Sequence, residues 1–230
     1  MCFTETQSYI NFLTLIGVSI FVYPDYRLSI PLIFLGLKDL IQALSYKNIR
    51  NYKSTQFLTS LSWIHICLQP LFVNIFISHF DKKFRHWDKV FFLCIIYGLY
   101  YITMLNEFDI QNDPDCTKLH KKDDLCSENT MSYIGKYHLG YKFSSDKDII
   151  IEPMNNIPIR LSRIIYVILT FIPSLFTKSI NIGILWGLFT LLIAIIFNNA
   201  GSADGEVAAI WCFSSIAIAI PLALYGKHKF

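Results

Sequence analysis

The stretch Leu28-Ser-Ile-Pro-Leu-Ile-Phe-Leu-Gly-Leu-Lys-Asp-Leu-Ile-Gln-Ala-Leu-Ser-Tyr46 decides the fold of this chain. It is apolar at most positions and does not alternate, so it reads as a helix and not as a strand. A helix needs about 20 residues to cross the ~30 Å hydrocarbon layer of a bilayer. Six further stretches have the same character: Ser8–Tyr23, Gln56–Phe80, Val90–Met104, Ile159–Phe176, Ile180–Phe197 and Val207–Tyr225. The first and fourth are short and must borrow flanking residues. The first also lacks a basic start and an Ala-x-Ala-like cleavage site, so it reads as a retained helix and not as a signal peptide.

The expectation is an all-α polytopic membrane protein. It is one domain over residues 1–230, a seven-transmembrane-helix bundle with one long extramembrane loop (105–158) between the fourth and fifth helices. Composition agrees. The chain is 53% hydrophobic and 16% charged, whereas soluble domains carry roughly 25% charged residues. A net charge of +3 is too small to suggest a nucleic-acid partner, so the expected partner is the lipid bilayer. The plentiful Ile, Lys, Asn, Tyr and Phe are what an AT-rich genome encodes.

Orientation follows from the basic residues of the short connections. One face collects Arg27, Lys82, Lys83, Arg85, Lys89, Lys178, Lys227 and Lys229, and the other only Lys47, Arg50 and Lys53. The positive-inside rule then places the C-terminus in the cytoplasm, with the N-terminus and the long loop outside. Tyr23, Tyr26, Tyr46, Tyr52, Trp87 and Tyr225 sit at span ends and would form the interfacial aromatic belts. Cys116 and Cys126 lie in the long loop, on the oxidising side in this orientation, where a disulfide can persist. The alternatives are two free thiols on a cytosolic loop, or a metal site with His120. That site lacks a fourth ligand and zinc-like spacing. No metal or other cofactor is expected.

Further along the loop, Tyr133-Ile-Gly-Lys-Tyr-His-Leu-Gly-Tyr-Lys-Phe143 has tyrosines and glycines at spacings that suggest a hairpin or cap over the bundle. Ile149–Ile151 suits a strand. The plain reading is an extramembrane lid without chemistry. The sharper one is a gate with His138 facing inward.

Ionisable residues inside a membrane are costly and usually face the bundle interior. The second span carries Lys38, Asp39 and Gln42 near its middle. They read either as a buried pair fixing helix register or as a site for an ion, proton or polar ligand. In the third span Ser62, His65 and Gln69 share a helical face beside Pro70, which frees the Ile66 carbonyl and favours a kink. Asn74 reads as an interhelical tie. In the seventh span Trp211 is placed at the depth of His65, while Asp204 and Glu206 suit a helix N-terminus. Lys38, Asp39, Gln42, His65, Gln69 and Trp211 are therefore the candidate lining of one polar cavity. His79, Asp81, His86 and Asp88 read as solvated residues at the membrane surface.

Seven spans resemble rhodopsins and G-protein-coupled receptors in number alone. No Lys lies between Val207 and Tyr225 to form a retinal Schiff base, and Asp-Arg-Tyr and Asn-Pro-x-x-Tyr are absent. The His-x-x-x-His pair of ceramidase-like seven-span hydrolases is missing from the late helices, and no P-loop or Gly-x-Ser-x-Gly occurs. Trp63 through Gln69-Pro70, with Trp211-Cys212-Phe213, resembles an uncharacterised seven-span membrane family of large DNA viruses and algae. That resemblance implies a host or virion membrane and no activity. The expected function is a channel, transporter or sensor for a small ion or molecule. The alternative is a structural scaffold of a virion or organelle membrane. An intramembrane enzyme stands third. Nothing in the sequence fixes an oligomeric state.

Overall fold

The computed structural model describes residues 4–103, 131–134, 138–142, 150–151, 159–175, 180–199, 210 and 216–229. Within them the chain is mainly helical. The helices are α1 (Glu5–Val22), α2 (Tyr26–Lys47), α3 (Tyr52–Ser78), α4 (Trp87–Ile102), α5 (Leu161–Leu175), α6 (Ile180–Asn199) and α7 (Ile216–Lys229). Each predicted stretch carries a helix, the last one described from Ile216 onward. Two helices, Tyr26–Lys47 and Lys53–Ser78, are long and apolar enough to cross a bilayer by length and composition; Ile164–Pro173 and Ile216–His228 are shorter apolar helices.

Caps set the helix starts, and they fall earlier than hydropathy alone suggests. Thr4 Oγ1 accepts the Gln7 N–H at 3.3 Å while the Gln7 side chain accepts the Thr4 N–H at 3.0 Å, which starts α1 at Glu5. Asp25 caps α2 through the Arg27 N–H at 3.0 Å, and Asn51 caps α3 through the Ser54 N–H at 3.2 Å. These side-chain acceptors satisfy amides that the first helical turn leaves open.

Neighbouring helices pack in sequence order, α1 on α2, α2 on α3 and α3 on α4, with α5 returning to α3 and α7 to α1. Antiparallel neighbours joined by short turns give two opposite ends. Two features hold α3 to the elements around it. Gly98 of α4 lies against α3 so closely that an added Cβ would stand 3.0 Å from the Cys67 carbonyl oxygen. One turn beyond Pro70, the Asn74 amide donates to the Pro70 carbonyl and to the Leu169 carbonyl of α5, both at 2.7 Å. Asn74 is thus the interhelical tie expected of it.

The loop between α4 and α5 contributes two short ribbons that an all-α reading omits. Strands β1 (Met131–Ile134) and β2 (Leu139–Lys142) form an antiparallel hairpin in which Ser132 faces Tyr141 and Tyr133 faces Gly140. Strands β3 (Ile150–Ile151) and β4 (Ile159–Arg160) form a second pair. The hairpin expected at Tyr133–Phe143 is therefore present. Gly140 leaves room for the Tyr133 ring, which a Cβ there would meet at 2.2 Å and have to displace.

Apolar side chains are divided between an interior core and the helix surfaces. Large apolar residues are exposed along α1 (Ile10, Leu13, Ile20), α4 (Phe92, Leu93, Ile96, Leu99) and α6 (Leu185, Leu188, Leu192, Ile195). Lysine, aspartate, glutamine, histidine and asparagine side chains are buried instead. Isolated exposed apolar residues are ordinary; contiguous helical faces of them mark a surface that a partner or a membrane covers.

Candidate functional site

The buried groups are sorted along the bundle. Leu28, Leu32 and Leu35 of α2 pack with Val73, Phe76 and Ile77 of α3, Leu15 of α1, Trp186 of α6 and Ala219 and Ala223 of α7. This apolar half lies at the end where α1 turns into α2. A dense set of buried polar residues lies in the other half: Lys38, Asp39, Gln42 and Ser45 of α2, and Thr55, Gln56, Thr59, Ser62, His65 and Gln69 of α3. The sequence carried this signal. Polarity rises toward the C-terminus of α2 and falls toward the C-terminus of α3, so antiparallel packing brings the two polar halves together.

All five described members of the expected cavity lining are interior: Lys38 1%, Asp39 1%, Gln42 0%, His65 5% and Gln69 1% exposed. The two adjacent charges of α2 diverge. Asp39 accepts a hydrogen bond from the Asn11 side chain, which ties α2 to α1. Lys38 turns the other way, with its ammonium 4.0 Å from the centroid of the Tyr141 ring. Its charge also acts on His65 and on His138. His65 Nε2 pairs with the Phe34 carbonyl at 2.8 Å, and its ring stacks on Phe34 with centroids 3.9 Å apart. With Nε2 donating to that carbonyl, Nδ1 is left an acceptor. His65 Nδ1 and Ser62 Oγ are buried with no hydrogen-bond partner among the described residues. Trp211, Cys116 and Cys126 lie outside the described residues, so the seventh-span wall and the expected disulfide carry no geometry.

The hairpin closes the polar half. Three contacts fix it: the Tyr141 ring over Lys38, Ser132 Oγ to Thr59 Oγ1 of α3 at 2.6 Å, and Tyr46 of α2 to His138 Nδ1 at 2.7 Å. Leu139 is fully buried and packs with Tyr141 against Tyr46 and Ile49. Lys38 lies nine residues before the end of α2, about 13 Å of helix rise. The hairpin therefore enters the mouth of the bundle and does not merely rest on it. His138 Nδ1 lies 2.7 Å from both the Tyr46 hydroxyl and the Leu139 N–H. Two donors make it an acceptor, which places the ring proton on Nε2. Burial, with the Lys38 charge second, pushes the His138 imidazole down to about 3.

The opposite end holds a second polar group that the sequence did not resolve. His79, expected to be solvated, is 1% exposed. Its Nδ1 lies 2.8 Å from Asp25 Oδ2 and its Nε2 3.2 Å from the Gly226 carbonyl. This corrects the surface reading of His79, and Asp81, also expected to be solvated, is buried too. The partners of His79 come from the α1–α2 turn and from α7, which local sequence cannot bring together. His86 and Asp88 are exposed as expected.

Among the described residues this arrangement displays no assembled nucleophile and base. No group of three His, Cys, Asp or Glu side chains is placed to hold a metal among the described residues. A family match spans residues 10–225. The chain belongs to the family of unknown function DUF5765. The match covers most of α1, α2 to α4, the hairpin, α5 and α6, and most of α7, so the polar half and its cap both fall inside the family's extent. No curated protein and no solved structure matches the chain.

Proposed function

We propose that this chain is a multi-pass membrane protein of the transporter or sensor type, a seven-helix bundle holding a small ion or polar molecule in its outer half under the loop hairpin. The observation that carries the reading is Lys38: a fully buried ammonium at mid-helix, roofed by an aromatic ring from a distant loop. Buried charge is expensive and persists in membrane spans mainly where it serves a pathway or ligand. The exposed apolar faces of α1, α4 and α6 supply the lipid-facing surface, and helices too short alone are completed by flanking residues and tilt. The apolar half beneath the polar one interrupts any continuous polar path. That favours a site served from one side at a time over an open pore. In the proposed orientation the hairpin is extracytoplasmic and the basic end cytoplasmic, in a host or virion membrane.

The test is reconstitution into liposomes carrying a pH-sensitive or ion-sensitive dye, with gradients of protons, potassium and chloride imposed in turn. Flux abolished by His65→Ala or Lys38→Met, in protein that still folds, supports the reading. Flux absent from every gradient, together with no ligand-dependent stabilisation, removes it.

A second reading is a structural scaffold. It is favoured by the partnering of the charges, Asp39 with Asn11 and Lys38 with Tyr141. On that reading Lys38→Met lowers stability by stripping Tyr141 and Asp39 of their cation, and no flux or ligand response exists to be lost.

A further inference from the structure

At the end of the bundle opposite the hairpin, the α1–α2 turn, the end of α3 and the end of α7 enclose a cleft of about 460 Å³. Arg27, Lys82 and Lys227 line it, with Asp25 as its one carboxylate and His79 as its imidazole. Three fixed cations face one anion, and that anion is already engaged. Asp25 Oδ1 accepts the Arg27 N–H at 3.0 Å. Oδ2 takes His79 at 2.8 Å and Lys82 at 3.6 Å. The remaining cations are held in place by helix ends. Arg27 Nη1 donates to the Ser78 carbonyl at 3.1 Å, and Lys227 donates to the Phe21 carbonyl while lying over the Phe21 ring. The result is a cleft with three lining cations, two of them tied to backbone carbonyls, against one carboxylate.

We infer that this cleft binds a phosphate group, and that a lipid headgroup supplies it. Arginine and lysine in a fixed array suit phosphate oxygens. The source follows from the neighbours. Tyr23 and Tyr26 line the cleft and are exposed, as are Ile20 and Phe21 on the adjoining surface of α1. Aromatic residues of this kind sit at headgroup depth, so the cleft opens where a headgroup meets water, with an apolar wall beside it for the acyl chains. The inference rests on the membrane reading above and not on the identity of the species in the polar half.

The experiment uses the full chain in phosphatidylcholine nanodiscs doped with phosphatidate, with lipid occupancy read by native mass spectrometry. Lys82→Gln with Lys227→Gln should lower phosphatidate occupancy by about tenfold or more, on the scale of basic residues acting on anionic lipid. Lys83→Gln with Lys89→Gln, exposed cations of the same end outside the cleft, should change it less than about twofold. Equal losses in both pairs, or no loss in the cleft pair, overturn the inference, because diffuse surface charge then accounts for the binding. A third arm adds inorganic phosphate to undoped discs. Thermal stabilisation by phosphate, lost in the cleft pair and unmatched by phosphatidate, overturns the lipid source and assigns the site to a soluble phosphate. Failure of the chain to enter discs at all would count against the membrane reading itself, a result distinct from entry without selective binding.

Discussion

The ammonium of Lys38 lies 4.0 Å from the centre of the Tyr141 ring, joining the middle of the second helix to a strand encoded more than a hundred residues later. A buried cation over an aromatic face gains about 2 kcal/mol or more when desolvated. Tyr141→Phe keeps the ring and should cost under about 1 kcal/mol, whereas Tyr141→Leu should cost about 2 kcal/mol. Thermal unfolding in detergent distinguishes the two, and equal losses would show that the ring face is not what matters.

Removing both charges separates function from stability. Lys38→Met alone leaves the buried Asp39 without its neighbouring cation and should lower the melting temperature, a loss of about 3–5 kcal/mol if the pair is fully desolvated. Lys38→Met combined with Asp39→Leu removes both buried charges, and replacements of a whole pair are often neutral or stabilising by about 1–4 kcal/mol. On the transporter or sensor reading the double variant keeps or raises the melting temperature while flux or ligand response is lost. Asp39→Asn and His65→Ala should lose the response while the protein still folds; retained activity in all three would leave only the scaffold reading.

Acidification should loosen the hairpin. His138 sits at about 3 in the folded state against an ordinary 6.5. Between those values the undocked state binds more protons than the docked one, so docking is fully favoured above 6.5 and weakens as pH falls toward 3. Protonating Nδ1 also removes the acceptor for the Tyr46 hydroxyl and the Leu139 amide. Hydrogen exchange at the Leu139 amide should accelerate as pH drops through this window, after correction for intrinsic exchange. His138→Gln should flatten that dependence; an unchanged profile in the variant would exclude His138 as its cause.

Asn74 ties α3 to α5 through a buried amide. Asn74→Ala removes the bonds to the Leu169 and Pro70 carbonyls. Interhelical hydrogen bonds of this kind contribute about 0.6–2 kcal/mol in membrane proteins, so the melting temperature should fall. Asn74→Gln, which cannot place its amide the same way, should not restore it.

Close packing makes Gly98 the least replaceable position of α4. A methyl group there meets the Cys67 carbonyl oxygen and Leu68 Cδ2, each at 3.0 Å. Backbone cannot yield as a side chain does, so Gly98→Ala should cost about 1–3 kcal/mol and Gly98→Leu should prevent α3 and α4 from packing. A stability scan that ranks Gly98→Ala with Gly17→Ala, where nothing lies within 4 Å, would contradict this.

The helices were legible because each is a run of apolar residues whose period needs no distant information. The hairpin was legible for a similar reason, since Tyr133, Gly140 and Tyr141 act on each other locally. The interior position of Lys38, Asp39, Gln42, His65 and Gln69 followed from the cost of placing such groups against lipid. What the sequence hid is direction. Nothing around Lys38 and Asp39 says that one turns to a loop and the other to Asn11. Likewise His79 sits among charged loop residues, and only the return of α7 and the α1–α2 turn buries it.

The roof over Lys38 has a consequence for how the protein is made. The second helix is synthesised before the hairpin exists, because chains emerge and fold from the N-terminus. For that interval the ammonium has no Tyr141 above it and must keep its water. Completion of the loop is then the event that lets Lys38 leave solvent, and a chain arrested before residue 141 should leave that lysine open to amine-reactive reagents.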